Sequence, residues 1–259
     1  MAIRLISRLD VKMSHLIKGV QMEGWRKLGD PASRARKYYA DGVDELLYMD
    51  VVASLYERNN LAEILREVAS DTFIPITVGG GINSLSSVKA LLDVGADKVA
   101  VNTAAAKRPE LLKEISDTYG AQATVLSVEA KRLSSGGWTA MTDNGRNHTG
   151  RDVIEWIQEA ANCGVGEILV TSIDQDGGCN GMDLDLILAA TEAVNIPVIA
   201  SGGAASLAQV QAAIENGVSG VAIAKALHTD VLNLINLRKD LFDIGIPTRP
   251  YSMQEMPGG

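Results

Sequence analysis

Three features of the sequence predict a closed barrel of eight parallel strands, each followed by a helix. Short apolar or β-branched runs alternate with helical stretches along the chain. The runs carry apolar residues at consecutive positions more than at every second one, as strands buried on both faces do. One spacing, 122 residues, relates three separate segments of the two halves. Eight units in 259 residues favour a closed (β/α)8 barrel over an open doubly wound sheet. No linker, low-complexity tract or boundary interrupts them, so residues 1–259 are read as one barrel domain.

The expected strands are IRLISRLDV, ELLYMDVV, FIPITVG, KVAVN, ATVLSVEA, EILVTSI, IPVIAS and GVAIA. Between them lie SRARKYYADG, LAEILREVAS, LSSVKALLDVG, PELLKEISDTYG and DVIEWIQEAANCG, whose apolar spacing is helical. Several end in glycine, the usual helix stop. The segment GGWTAMTDNG, with Trp138, is expected to form a β-hairpin inserted after the fifth strand.

The repeat carries more weight than the alternation. Gly42 and Gly164, Gly80 and Gly202, and Gly95 and Gly217 are each 122 positions apart, while Asp10 and Glu129 are 119 apart. Similar but unrelated βα units would not hold one offset over three segments. Two four-unit halves about a pseudo-twofold axis do.

Composition excludes several functions. The net charge of −8 argues against a nucleic-acid surface, which needs clustered Lys and Arg. No apolar run is long enough to span a bilayer, and the charged start MAIRLISRLDVK is no signal peptide. Cys163 and Cys179 have neither metal nor CxxC spacing, which reads as a reducing cytoplasm. His15, His148 and His228 are too scattered for a metal site, and no cofactor is implied.

The glycine clusters ITVGGGINS and VIASGGAAS close two strands half a turn apart around the barrel rim. Without Cβ atoms, such loops turn tightly and present backbone N–H groups, a setting for phosphate next to helix starts. Tight βα turns also need glycine, so one loop alone would say little; the symmetric pair points to a ligand with a phosphate at each end. Asp10 and Glu129 then end strands on opposite walls of the mouth, a suitable arrangement for acid/base work at the middle of such a ligand. Lys12 and Lys131 follow them and are expected to support loops or neutralise phosphate.

The motifs LDVK…KG, YMDVVAS, TVGGGI, GADKVAVNTAA, GAQATVLSVEAKR, TGRDVIEW, GEILVTSIDQDG and IASGGA strongly resemble the cyclase subunit of imidazole glycerol phosphate synthase, from about Arg4 to His228. The resemblance implies a (β/α)8 barrel partnered by a glutaminase. Ammonia would cross the barrel and react with a phosphoribulosyl nucleotide at the far mouth. It makes Asp10 and Glu129 the catalytic pair. Asp50, Asn102, Thr171, Asp176 and Ser201 match positions lining the substrate site. Gly81, Gly177, Gly202 and Gly203 match phosphate-loop positions, and Gly80, Thr103 and Lys225 complete the two expected cups. Arg4, Glu45, Lys98 and Glu167 match a ring of charges at an ammonia entrance, and Asp97 matches a residue facing the glutaminase. Counting in twos turns Arg4, Lys98 and Glu167 inward with Asp10, Asn102 and Thr171; Glu45 is out of phase with Asp50, and only the resemblance places it.

The chain departs from the family at the mouth. Where the family reads Cys-Leu-Asp-Val-Lys-Asp-Gly-Arg, this sequence has Arg8-Leu9-Asp10-Val11-Lys12-Met13-Ser14-His15. Glu129 stands where an Asp is usual, and Lys225 where a small hydroxyl residue is usual. An entrance kept beside an altered mouth resembles a paralogue branch serving an N-acetyl-sugar amidotransferase in surface polysaccharide (O-antigen type) synthesis. That reading is placed first here. A cyclase of histidine biosynthesis is the alternative, and a sugar-phosphate isomerase of the same half-barrel type, which needs no glutaminase, is the third.

Overall fold

The computed structural model describes residues 2–53 and 61–249. The chain opens with β1 (Arg4–Lys12), β2 (His15–Val20) and β3 (Glu23–Gly29), then α1 (Pro31–Ala40), β4 (Glu45–Asp50), α2 (Leu61–Ala69), β5 (Ile76–Gly79), α3 (Leu85–Leu92), β6 (Lys98–Val101), α4 (Thr103–Lys107) and α5 (Glu110–Tyr119). The second half runs β7 (Thr124–Arg132), β8 (Trp138–Thr142), β9 (Asn147–Asp152), α6 (Val153–Asn162), β10 (Glu167–Ser172), α7 (Leu184–Ala193), β11 (Val198–Ser201), α8 (Leu207–Glu215), β12 (Gly220–Ile223), α9 (Lys225–His228) and α10 (Leu234–Asp243).

Eight strands close in parallel. β1 pairs with β4, β4 with β5, β5 with β6 and β6 with β7; β7 pairs with β10, and β10, β11 and β12 lead back to β1. The molecule is a (β/α)8 barrel. Two antiparallel hairpins leave its rim: β2–β3 extends from β1, and β8–β9 from β7. The second is the expected insertion, with the Trp138 indole donating to Asp183 (3.0 Å). The first, β2–β3, is not among the elements expected from the sequence. Its outer strand β3 is mostly exposed, so burial gave no apolar run to read.

The half-barrel repeat is explicit. β4 and β10, β5 and β11, and β6 and β12 begin 122 residues apart and have equal lengths. Helix caps follow the same offset: Asp30 and Asp152 cap α1 and α6, and Ser84 and Ser206 cap α3 and α8, each through a side-chain oxygen accepting from a first-turn N–H. Gly80 and Gly202 share φ +105°. A Cβ would meet the Asp50 carbonyl oxygen at 2.2 Å in one and the Ser172 carbonyl oxygen at 2.7 Å in the other. Their first requirement is thus a left-handed turn pressed against the preceding unit.

Alternation divides the apolar residues into two cores. Outward side chains of the strands meet the helices, with Trp156, Tyr38 and Tyr48 among the largest groups fully enclosed. Inside the barrel, Ile6, Leu47, Val125, Leu169 and Ile199 form an apolar layer with the smaller Ala100 and Ala222. Charged groups lie below and above this layer.

Candidate active site

At the strands' N-terminal ends, four charges close a ring. Arg4 reaches Glu45 (3.1 Å) and Glu167, and Lys98 reaches Glu45 (3.0 Å) and Glu167 (2.9 Å). Thr77 donates to Glu45 at 2.5 Å and Ser219 accepts from Arg4 at 3.0 Å. Signs alternate around the ring, so each of the two buried acids has two part-buried cations as partners, the condition under which burial of charge is tolerable. All four residues predicted for the entrance come together. Glu45 turns inward and Asp50, five residues on, sits in the opposite phase, its carboxylate accepting from the Val52 N–H (3.1 Å). Asp97 is exposed at this end and accepts from the Ile76 N–H (2.8 Å).

At the other end, Arg8 occupies the middle of the mouth. Its Nε donates to Asp10 (2.8 Å), and Nη1 donates to Thr171 (2.9 Å) and Ser201 (3.2 Å). Lys18, from the β2–β3 hairpin, donates to the other Asp10 oxygen (2.6 Å) and to both oxygens of Asp176 (2.8 and 2.9 Å). All four charged residues are buried. Burial alone would raise the Asp10 pKa, but Arg8 and Lys18 outweigh it and hold the carboxyl well below the usual range. Asp10 is therefore a fixed anion and a poor proton acceptor. Lys18, in turn, stays charged because Asp10 and Asp176 overcome its desolvation.

Glu129 behaves oppositely. Burial pushes its pKa up to about 7, against the lowering influence of the Gly145 N–H (2.7 Å) and of Arg8. A carboxyl titrating near neutrality is suited to take and return protons. The Gly145 N–H comes from the β8–β9 turn, where Asn144 also donates to the Met22 carbonyl oxygen (3.4 Å) across the mouth. The two hairpins thus meet above the site.

Behind Arg8 lies His228. Its Nε2 is 3.0 Å from the Arg8 carbonyl oxygen and its Nδ1 is 2.7 Å from the Tyr38 hydroxyl. A carbonyl only accepts, so the proton sits on Nε2 and Tyr38 donates to Nδ1. Burial lowers the His228 pKa to about 4, which keeps this support neutral.

The two rim cups differ. The first opens into a cavity of about 210 Å³ lined by Arg8, Asp50, Gly80, Gly81, Asn102, Thr103, Lys107 and Glu129. Asn102 donates to the Met141 carbonyl oxygen (3.2 Å), and Thr103 Oγ1 accepts from the Asp143 N–H (3.0 Å). The second cup, with Gly177, Gly202, Gly203 and Lys225, encloses about 10 Å³. Lys225 Nζ donates to the Gly177 carbonyl oxygen at 2.7 Å across it. Away from the cups, Lys131 pairs with Asp174 and Lys12 lies over Trp25.

Residues 4–233 match the family described as "Histidine biosynthesis protein". The chain belongs to this family. Relatives carrying the name "Imidazole glycerol phosphate synthase subunit HisF" include one from Legionella pneumophila, 56% identical over 205 residues, covering 79% of this chain and 97% of the relative. The Thermobifida fusca relative is 42% identical, covering 96% of this chain and 99% of its own, and that of Mycobacteroides abscessus is 44% identical with the same coverage. The homology expected from the motifs therefore extends across the barrel. These relatives carry the cyclase name that the sequence reading held as its alternative, and none of them carries the sugar-amidation role it placed first.

Sequence reasoning missed Arg8 and Lys18 as site residues. Arg8 was readable, because it shares a face with Arg4 and Asp10; it was noted as a departure and given no place. Lys18 was not, since its reach depends on a hairpin register the sequence did not announce. Gly145 and Asn144 were missed for the same reason, since their positions follow from the β8–β9 turn; Lys107 ends the short α4, which the sequence pattern did not show as a helix.

Proposed function

We propose that this chain is the synthase-type barrel of a glutamine amidotransferase. A glutaminase seated on the floor beside Asp97 would release ammonia at the Arg4–Glu45–Lys98–Glu167 ring. The ammonia would cross the apolar layer and meet its acceptor at the mouth. One observation carries this reading: a closed ring of paired charges and a cavity that several polar groups line lie at opposite ends of one apolar-lined interior. Neutral ammonia tolerates such an interior and ammonium does not. At the mouth, Glu129 would take the proton released as nitrogen bonds to carbon, while Asp10, held by Arg8 and Lys18, would keep a fixed negative charge.

The relatives' names favour the histidine-pathway acceptor, with imidazole glycerol phosphate as product, over sugar amidation. A second reading has one specific observation in its favour. Arg8 and Lys18 tie up Asp10, the carboxylate that the resemblance makes half of an acid/base pair, and this suits a different acceptor such as an N-acetyl sugar handled with a separate amidotransferase.

Complementation separates the two. The chain, co-expressed with its matching glutaminase, should restore growth to a histidine auxotroph lacking its cyclase subunit if the first acceptor is right. No growth despite soluble expression of both would favour the second, and amide nitrogen from labelled glutamine would then be followed into sugar products. A chain that binds no glutaminase and never yields labelled product would sink the amidotransferase reading and leave the isomerase, the third reading, in its place.

A further inference from the structure

The two halves place different residues at the same point of the rim. Thr103 and Lys225 are 122 positions apart, each opening the short helix two residues past the end of its strand. The residues before them, Asn102 and Ala224, have nearly identical backbones (φ −122°, ψ −87° and φ −120°, ψ −88°). At Gly80 and Gly202, and at Asn102 and Ala224, the two cups share their backbone, and what distinguishes them there is the side chain that follows, Thr103 or Lys225. Thr103 stops short of its cup, and the space beyond it is open to about 210 Å³. Lys225 reaches across its cup to the Gly177 carbonyl oxygen, and what remains is about 10 Å³, roughly room for one water.

The positive charges of the second cup are both engaged. Lys18 is held by Asp10 and Asp176, the Lys225 ammonium sits on the Gly177 carbonyl oxygen, and the Asp176 carboxylate itself lines the wall. An arriving phosphate would have to draw Lys225 off that carbonyl beside a buried acid. In the first, Lys107 stands exposed at the rim. Arg8 lines the cavity floor, with its bonds to Asp10, Thr171 and Ser201 made through Nε and Nη1.

We propose that the mouth binds a ligand with a single phosphate-bearing end, seated at Gly80–Gly81 and Asn102–Thr103, and that Lys225 closes the pseudo-symmetric cup against a second phosphate. The inference rests on the reading of the rim as a phosphate site. It narrows the acceptor to one whose far end carries no second phosphate, and so it favours the second acceptor named above.

The test uses the whole chain with inorganic phosphate, fructose monophosphate and fructose bisphosphate as probes, followed by calorimetry and phosphorus NMR. Inorganic phosphate should saturate at one site per chain, and the two esters should bind within about threefold of each other. Lys225→Thr should open a second site and strengthen bisphosphate binding by about tenfold or more. Thr103→Lys should abolish the first site. Amine labelling of the unaltered protein gives a readout independent of variant folding: phosphate should protect Lys107 and leave Lys225 unchanged. Two phosphates per chain, or a bisphosphate bound about a hundredfold tighter than the monoester, would overturn the inference while leaving the rim reading intact. Phosphate at neither cup would overturn both.

Discussion

Glu45 and Glu167, 122 positions apart, each bridge the same two cations, Arg4 and Lys98. The pseudo-twofold axis thus supplies the two acids, and the two bases come from positions the repeat does not relate. Glu45 is the more enclosed, with 1% of its side chain exposed against 8% for Glu167, and it alone accepts from Thr77.

Removing Glu45 should therefore cost more than removing Glu167. Glu45→Ala leaves two part-buried cations sharing one acid and should destabilise the barrel by about 3–5 kcal/mol in urea unfolding. Glu167→Ala should cost about half that. Equal losses would show that the ring's partners redistribute freely.

Glu129 sets a pH dependence. Its native pKa, about 7, is raised above the ordinary 4.5. Between those values the native chain keeps a proton that the unfolded chain has lost. The stabilisation is fully present below pH 4.5 and is lost as pH rises through 7, a change on the order of 3 kcal/mol. Glu129→Gln should flatten the stability profile across this window, and a carboxyl band titrating near pH 7 in infrared difference spectra should disappear with it. A band titrating near 4.5 would contradict the assignment.

Arg8 holds Asp10 low, so the opposite window tests that pair. A depressed carboxyl stabilises the fold above its unfolded pKa, 3.8, and that contribution is lost as pH falls. Arg8→Met removes one of two cations on Asp10. It should cost about 2–4 kcal/mol at neutral pH and shift the acid-unfolding midpoint upward in circular dichroism titrations. An unchanged midpoint would mean that Lys18 alone sets the Asp10 pKa.

Gly80→Ala should be worse tolerated than its partner substitution Gly202→Ala. The added Cβ meets backbone oxygen at 2.2 Å in the first and 2.7 Å in the second, at the same positive φ. The first should lose about 3 kcal/mol or more in thermal or chemical unfolding, and the second less. The reverse order would place the strain elsewhere.

The barrel was legible because three constraints agreed: doubly buried strands, glycine stops and one repeat offset. The floor ring was only partly legible. Alternation placed Arg4, Lys98 and Glu167, but Glu45 is out of phase with Asp50, and counting inward from Asp50 turns it away; the strand faces Glu45 inward and Asp50 the other way. Glycines Gly80 and Gly202 suggested matching phosphate cups, and their matching φ agrees. What the glycines could not show was the side chain beside each cup: a short neutral hydroxyl at Thr103, and at Lys225 a long cationic chain that reaches the Gly177 carbonyl oxygen. Lys18 lay beyond reach for a different reason: its partners belong to other elements, and a long flexible side chain selects partners in three dimensions.

The cluster of Arg8, Lys18, Asp10 and Asp176 contains two charges of each sign, so its net field beyond the mouth is small. An anionic ligand approaching a chain of net charge −8 is then repelled at long range and feels Lys107 only within about a Debye length, ~8 Å at physiological salt. Added salt screens the repulsion over more of the approach than it screens the attraction. Capture of such a ligand should accordingly quicken as ionic strength rises, the reverse of the slowing seen when a steering field guides an anion to its site.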